Sequence, residues 1–251
     1  MQDFDPAKSF LGEAAEQYDR HLRGDEDDAV AFLAELAGDG PALELAIGTG
    51  RIGVPLAARG VSLDGIDLSP DMVAQLRKKP GGEDIPVTIG DFSDVPVAGS
   101  YRLVYVVYNT FFNLLEQEQQ VRCFENVAAH LADDGVFVIE ARVPAHIHAL
   151  PENQYVHAEE VGVDEVWLDV AKYDPVTQRL EETHVRLGGG GVGLFPIVTR
   201  YCYPSELDLM ARIAGLRLKA RYGGWNREPF DSASILHVSV YGAAVRERRS
   251  T

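Results

Sequence analysis

The chain has 251 residues, with 23 Lys plus Arg against 39 Asp plus Glu and a formal net charge of -16. This length suits one large α/β domain or two small ones, and 46% hydrophobic residues can build a packed core, which excludes wholesale disorder. So acidic a surface excludes a nucleic-acid partner unless a basic patch is present; no run of Lys and Arg supplies one, and the tail Arg246-Glu247-Arg248-Arg249 is too short.

The first residues, Met1-Gln2-Asp3-Phe4-Asp5, are acidic and lack the apolar stretch of a secretion signal. No segment approaches the roughly 20 apolar residues that span a bilayer. Two cysteines, Cys123 and Cys202, stand outside any metal-ligand spacing and read as small buried hydrophobes. The expectation is a cytoplasmic protein without metal, membrane or nucleic acid.

In chain order, Val30, Leu33 and Ala37 fall on one helical face, and Gly38 and Gly40 stop that helix. Apolar runs at 43–47, 61–66, 87–89, 103–107 and 136–139 read as strands buried on both faces. Ser69-Pro70-Asp71 opens a helix, by an N-cap with Pro at the first position, and Pro80-Gly81-Gly82 closes it. Val121, Phe124, Val127, Ala128 and Leu131 form a further helical stripe, with His130 on its solvated face and Asp133-Asp134-Gly135 as its stop. Strand and helix alternating through 42–140 predict a Rossmann-like doubly wound sheet, because parallel neighbours need a crossover helix. Beyond Pro144, strands over 166–173 and 179–187 joined around Asp174-Pro175, and a third over 195–201, predict a small antiparallel β insertion. A helix over 205–214, capped by Ser205 and stopped by Gly215, and strands over 216–222 and 235–241 return to the first sheet, making seven strands.

The segment Leu43-Glu44-Leu45-Ala46-Ile47-Gly48-Thr49-Gly50-Arg51-Ile52-Gly53 runs a strand into glycines and then a helix. Glycines let backbone approach a ligand closely, and a helix N-terminus offers free N–H groups. Gly48, Gly50 and Gly53 also satisfy the dinucleotide pattern, with Asp67 at the end of the second strand, a solvent-facing position where it would accept ribose hydroxyls. Glu44 inside the first strand, a helical segment of about 40 residues before it, and Gly90-Asp91-Phe92 after the third strand do not suit a nicotinamide fold.

On these residues the sequence resembles a class I S-adenosylmethionine-dependent methyltransferase. Glu44 to Gly50 matches the family's first motif, Asp67-Leu68-Ser69-Pro70-Asp71-Met72 its second, Asp91-Phe92 its third, and Val107-Tyr108-Asn109-Thr110-Phe111-Phe112 the strand end beside the donor. The resemblance covers 14–143 and 198–245, and implies a mostly parallel seven-stranded sheet with an antiparallel last strand. It divides the chain into a donor-binding core with an N-terminal helical lid, 1–143 and 198–251, and an insertion, 144–197, acting as substrate cover or dimer contact. The insertion resembles that of N-methyltransferases acting on amino sugars or glycine. Residue by residue, the resemblance implies that Gly48 and Gly50 pass under the methionine part of the cofactor, with Glu44 near its amino group. Asp67 would hold the ribose beside Leu68, Met72 and Phe92 border the adenine, Asp91 accepts from its amine, and the Tyr108 backbone meets the methionyl end. Tyr18 would lie near the sulfonium and Arg23 near the carboxylate.

Asn109, Phe112 and Trp225 are candidates for the acceptor site, although Phe112 equally suits the core and Trp225 equally suits a folded loop. His146, His148 and His157 fall where the insertion leaves the sheet and are the candidates for a general base; His184 and His237 read as structural. The implied activity is methylation of an N or O nucleophile on a small molecule, a natural-product intermediate of the antibiotic-biosynthesis kind, by a chain that could form a homodimer. The alternatives are a nicotinamide-dependent oxidoreductase, or a non-catalytic binding module with an exposed apolar face on Trp167, Leu168 and Val170.

Overall fold

A computed structural model describes residues 1, 4–20 and 22–244; the basic tail 246–249 lies outside the described residues. After the short helix α1 (Glu13–Gln17), α2 (Glu26–Ala37) buries the expected stripe of Val30, Leu33 and Ala37 and stops at Gly38. Strands β1 (Ala42–Leu45), β2 (Leu63–Asp67), β3 (Val87–Ile89) and β4 (Tyr101–Val106) follow, with α3 (Gly53–Ala58) and α4 (Pro70–Leu76) between the first three. The start of α4 follows from its residues: Ser69 Oγ accepts the Met72 N–H at 3.2 Å, and Pro70 occupies the first helical position. Helix α5 (Gln117–His130) then runs directly into β5 (Leu131–Arg142). The Asp133-Asp134-Gly135 stop is therefore inside a strand, because Leu131 pairs with Tyr101 and sheet pairing overrides local propensity. His130 is half-buried rather than solvated, its ring nitrogens 2.7 Å from the Asn126 carbonyl oxygen and 2.9 Å from that of Val97.

The insertion is a four-stranded antiparallel sheet of β6 (Gln154–Val161), β7 (Glu165–Asp174), β8 (Arg179–Gly188) and β9 (Gly191–Arg200), in that order. Sequence patterning gives three of these; β6 is an edge strand with almost no buried residue, so it lacks the apolar alternation that marks the others. Helix α6 (Pro204–Ile213) follows, with Tyr203 rather than Ser205 at its cap and Pro204 opening it. Strands β10 (Leu216–Tyr222) and β11 (Leu236–Ala243) complete the first sheet.

The seven strands of that sheet lie in the order β10-β11-β5-β4-β1-β2-β3. β1, β2, β3, β4 and β5 run parallel, and β11 is antiparallel to both its neighbours, as the resemblance implies for the last strand. Helices cover both faces. Phe111, Phe124, Phe137 and Tyr241 pack edge to face on one side, with ring centroids 5.2–5.5 Å apart. Leu33, Leu56, Tyr105 and Trp225 belong to the cluster on the other side. A reversal of strand order lies between β1 and β4, and open α/β sheets bind ligands beside such a reversal, at the carboxyl ends of their strands.

Candidate functional site

A cavity of about 420 Å³ opens at those strand ends. That is within the range of about 300–1,000 Å³ usual for small-molecule sites. β1 ends where Ala46 takes a positive φ of 57°, turning the chain into the glycine loop. Gly48, also at φ 57°, lines the cavity, and a Cβ there would stand 3.1 Å from Met72 Cε. Gly50 does not line it; a Cβ there would meet Val54 Cγ2 at 2.8 Å, so this glycine lets α3 and α4 close on the loop.

Asp67 fixes the loop. Its Oδ2 accepts the Gly48 N–H at 2.7 Å and its Oδ1 the Ser69 N–H at 2.8 Å. The carboxylate is 7% exposed rather than solvent-facing, and burial raises its pKa above the ordinary value against those backbone hydrogen bonds. Glu44, on β1, is 2% exposed and accepts the Tyr105 hydroxyl at 2.9 Å; burial pushes its carboxyl up to about 8. It is therefore largely protonated at neutral pH. Leu68, Met72, Asp91 and Phe92 all line the same cavity, with Asp91 accepting the Ser93 N–H at 2.8 Å.

Tyr18 and Tyr108 meet across the mouth through a residue that motif reading passed over. The guanidinium carbon of Arg51 lies 4.6 Å from the Tyr18 ring centroid and 4.8 Å from that of Tyr108. Arg51 Nη2 also donates to the Tyr18 carbonyl oxygen at 2.7 Å. Tyr108 sits at φ 58° and donates its N–H to Glu140 Oε2 at 2.6 Å. Arg23 is occupied elsewhere: its Nη1 donates to both Glu140 oxygens at 3.0 and 3.1 Å and its Nη2 to Asp25 at 2.9 Å. Among the described residues, Arg51 lines the cavity and Arg23 does not. Glu140 lies just past the apolar run 136–139, so nothing local in the sequence distinguishes it.

A second cavity of about 300 Å³ adjoins the first, and Ser9, Phe10, Tyr18, Tyr108, Thr110, Asn113 and Ile197 line both. Asn109 lines the second, its Oδ1 accepting the Arg142 N–H at 2.6 Å. The inner face of the insertion sheet supplies the far wall. Trp167 and Phe195 stack there at 5.6 Å and 23°, beside Glu159, Glu182, His184 and Tyr201. His184, read from sequence as structural, has Nδ1 2.6 Å from Asp169 Oδ1 and 3.5 Å from Glu159 Oε2. The hydrogen bond to Asp169 pushes its pKa up to about 9. The three side chains bring potential ligand atoms within 4.8 Å of one another. Alternation along β7 turns Trp167 inward, 8% exposed, and Val170 outward, 40% exposed, so they do not share one apolar face.

Phe112 is fully buried against Tyr201, ring centroids 4.8 Å apart, and Trp225 packs on Phe32 at 5.5 Å; neither lines either of these two cavities. His157 is exposed on β6 and lines neither. His146 and His148 belong to the helical turn Pro144–Ala149, with side chains outside the described residues.

Residues 42–135 match the model of the Methyltransferase domain family. The solved structure of the CcbJ methyltransferase from Streptomyces caelestis is similar with a TM-score of 0.90 and 36% identity, covering 96% of this chain and 100% of that one. The cypemycin N-terminal methyltransferase of a Streptomyces species is 27% identical over 192 residues, 76% of this chain and 78% of that protein. The fold is shared with S-adenosylmethionine-bound CalS10, an amino pentose methyltransferase of Micromonospora echinaspora involved in calicheamicin biosynthesis; the TM-score is 0.67 at 20% identity, covering 90% of this chain and 94% of that one. The chain belongs to the class I S-adenosylmethionine-dependent methyltransferases, in the branch that acts on small molecules.

Proposed function

We propose that the chain methylates a nitrogen of a small natural-product intermediate, with the methyl donor in the larger cavity and the acceptor in the adjoining one. The observation that carries this reading is the pair of cavities meeting at Tyr18 and Tyr108, one bordered by the family's motif residues and the other by the insertion. Nitrogen is favoured over oxygen by the names of two relatives, an N-terminal and an amino pentose methyltransferase.

When bound, S-adenosylmethionine supplies an electrophilic methyl group for in-line displacement. The protein binds, aligns and excludes water. In this reading Asp67 accepts the ribose hydroxyls, Asp91 the adenine amine, and Met72, Leu68 and Phe92 border the adenine. Gly48 leaves backbone open to the methionyl part, Gly50 shapes the loop, Glu44 faces the amino group, and the Tyr108 backbone meets the same end. Arg51 takes the place near the carboxylate that sequence reading gave to Arg23, because Arg51 faces the cavity. Tyr18 borders the reacting centre and Asn109 the acceptor. Phe112, Trp225 and His157, outside both cavities, have no part in it.

The core 1–143 with 198–251 then holds the donor, and 144–197 covers the acceptor with its inner face. Its outer face supports a contact with a second copy: Val156 is 70% exposed, Val192 68% and Leu194 64%, an apolar surface unusual on a chain of charge -16. Buried free thiols at Cys123 and Cys202 suit a reducing cytoplasm, and no described helix is long and apolar enough to cross a membrane. Calorimetric titration with S-adenosylhomocysteine beside NAD+ tests the donor site. Binding of the first alone is expected, and binding of NAD+ alone overturns the reading.

A further inference from the structure

The chemistry of the second cavity is uneven. Its charged lining comes from the insertion, as Glu159, Glu182 and His184, with Asp169 behind His184. Among the described residues, no Lys or Arg lines it. Three carboxylates against one imidazole leave the wall acidic even with His184 protonated. The two glutamates are not equivalent. Both act on the His184 imidazole, but Glu159 is exposed, 3.5 Å from the ring, whereas Glu182 is half-buried and accepts the neutral Tyr155 hydroxyl. A carboxylate that faces a cavity with no cation of its own favours a cationic ligand. The stacked rings of Trp167 and Phe195 beside it suit an apolar frame carrying that cation.

Resting on the reading of this cavity as the acceptor site, we propose that it selects an acceptor bearing a protonated amine, with Glu182 as the counter-ion and Trp167 and Phe195 against the carbon frame. Charge, not size, then separates acceptors from their hydroxyl counterparts.

The probes are cyclohexylammonium and its neutral counterpart cyclohexanol, titrated at neutral pH into protein saturated with S-adenosylhomocysteine. The ammonium is expected to bind about ten-fold more tightly than the alcohol, the factor of one modest ion pair. In Glu182→Gln the preference falls to about three-fold or less while affinity for S-adenosylhomocysteine stays within about two-fold, and Glu159→Gln, which removes the more exposed and better screened charge, loses less of it. Equal binding of the two probes, binding of neither, or an unchanged preference in a folded Glu182→Gln variant overturns the proposal. If that variant does not fold, the preference of the unmodified protein decides. Failure of S-adenosylhomocysteine to bind the unmodified protein overturns the donor reading as well, whereas its binding without an amine preference overturns only this inference.

Discussion

Replacing Glu44 with Gln keeps the shape and the acceptor for the Tyr105 hydroxyl but removes an ionisation. Glu44 titrates at about 8 in the folded chain against 4.5 as its ordinary value, because burial disfavours the carboxylate. Below about pH 4.5 the group is protonated in both states and pH has no effect through it; as pH rises toward 8 the unfolded chain ionises first, so stability is lost. Above 8 the loss is complete and constant. Between about pH 5.5 and about pH 8.0 the linkage relation gives a loss of about 3 kcal/mol through this one residue. The expected result is that the stability of Glu44→Gln relative to the unmodified protein rises by about that amount across the interval, since other titrations are common to both chains and cancel. Urea unfolding of both proteins at the two pH values measures it. Parallel pH profiles would refute the protonated, desolvated state assigned to Glu44.

Asp67→Ala leaves the Gly48 and Ser69 N–H groups without their acceptor; it should cost about 1–3 kcal/mol of stability as well as weaken S-adenosylhomocysteine binding more than ten-fold, read by thermal unfolding and calorimetry. An unchanged melting temperature would contradict the loop-fixing role. Gly48→Val places a β-branched side chain at φ 57° with its Cβ about 3.1 Å from Met72 Cε, so S-adenosylhomocysteine binding should be lost beyond detection in the calorimeter. Normal affinity there would mean that the donor lies elsewhere. For His184, proton NMR should find titration near 9 in the unmodified protein and lower in Asp169→Asn; its contribution to stability is present at low pH and is lost as pH rises through about 9. An imidazole titrating at the same pH in both proteins would remove Asp169 as the cause.

The convergence of the residues proposed to hold the donor was legible because they are local. One strand, one glycine loop and the carboxylates ending the next two strands come within a few residues of each motif, and Glu44, Gly48, Asp67, Asp91 and Phe92 all converge on one cavity. The acceptor half was not, because strand register assembles it. His184 pairs with Asp169 across β7 and β8, and with Phe195 across β8 and β9, none of which are neighbours in sequence. Arg23 and Arg51 show the limit of placing a charge by motif. Both reach the Tyr108 ring, but Arg23 is drawn to Glu140 and Asp25, while Arg51, held by the Tyr18 carbonyl and beside Asp19, lines the cavity. β6 escaped because an edge strand exposed on both faces carries no alternation, and the end of α5 because Leu131 belongs to a strand by pairing and to a helix by pattern.

The first cavity takes most of its wall from the ends of the seven-stranded sheet and the second from the insertion sheet, the two joined through the N-terminal segment, the loop after β4 and Ile197 of β9. Strands β1, β2 and β3 end at the larger cavity, proposed for the donor, while β7 and β8 line only the second, proposed for the acceptor, through Trp167, Glu182 and His184. Selection for a new acceptor can therefore act on side chains of the insertion sheet, which its backbone ladder holds in place whatever their identity, without disturbing the glycine loop or the carboxylates that fix it. The same partition gives the protein engineer a bounded library: alternate positions on the inner face of β6, β7 and β8, with the methyl-donor chemistry inherited unchanged.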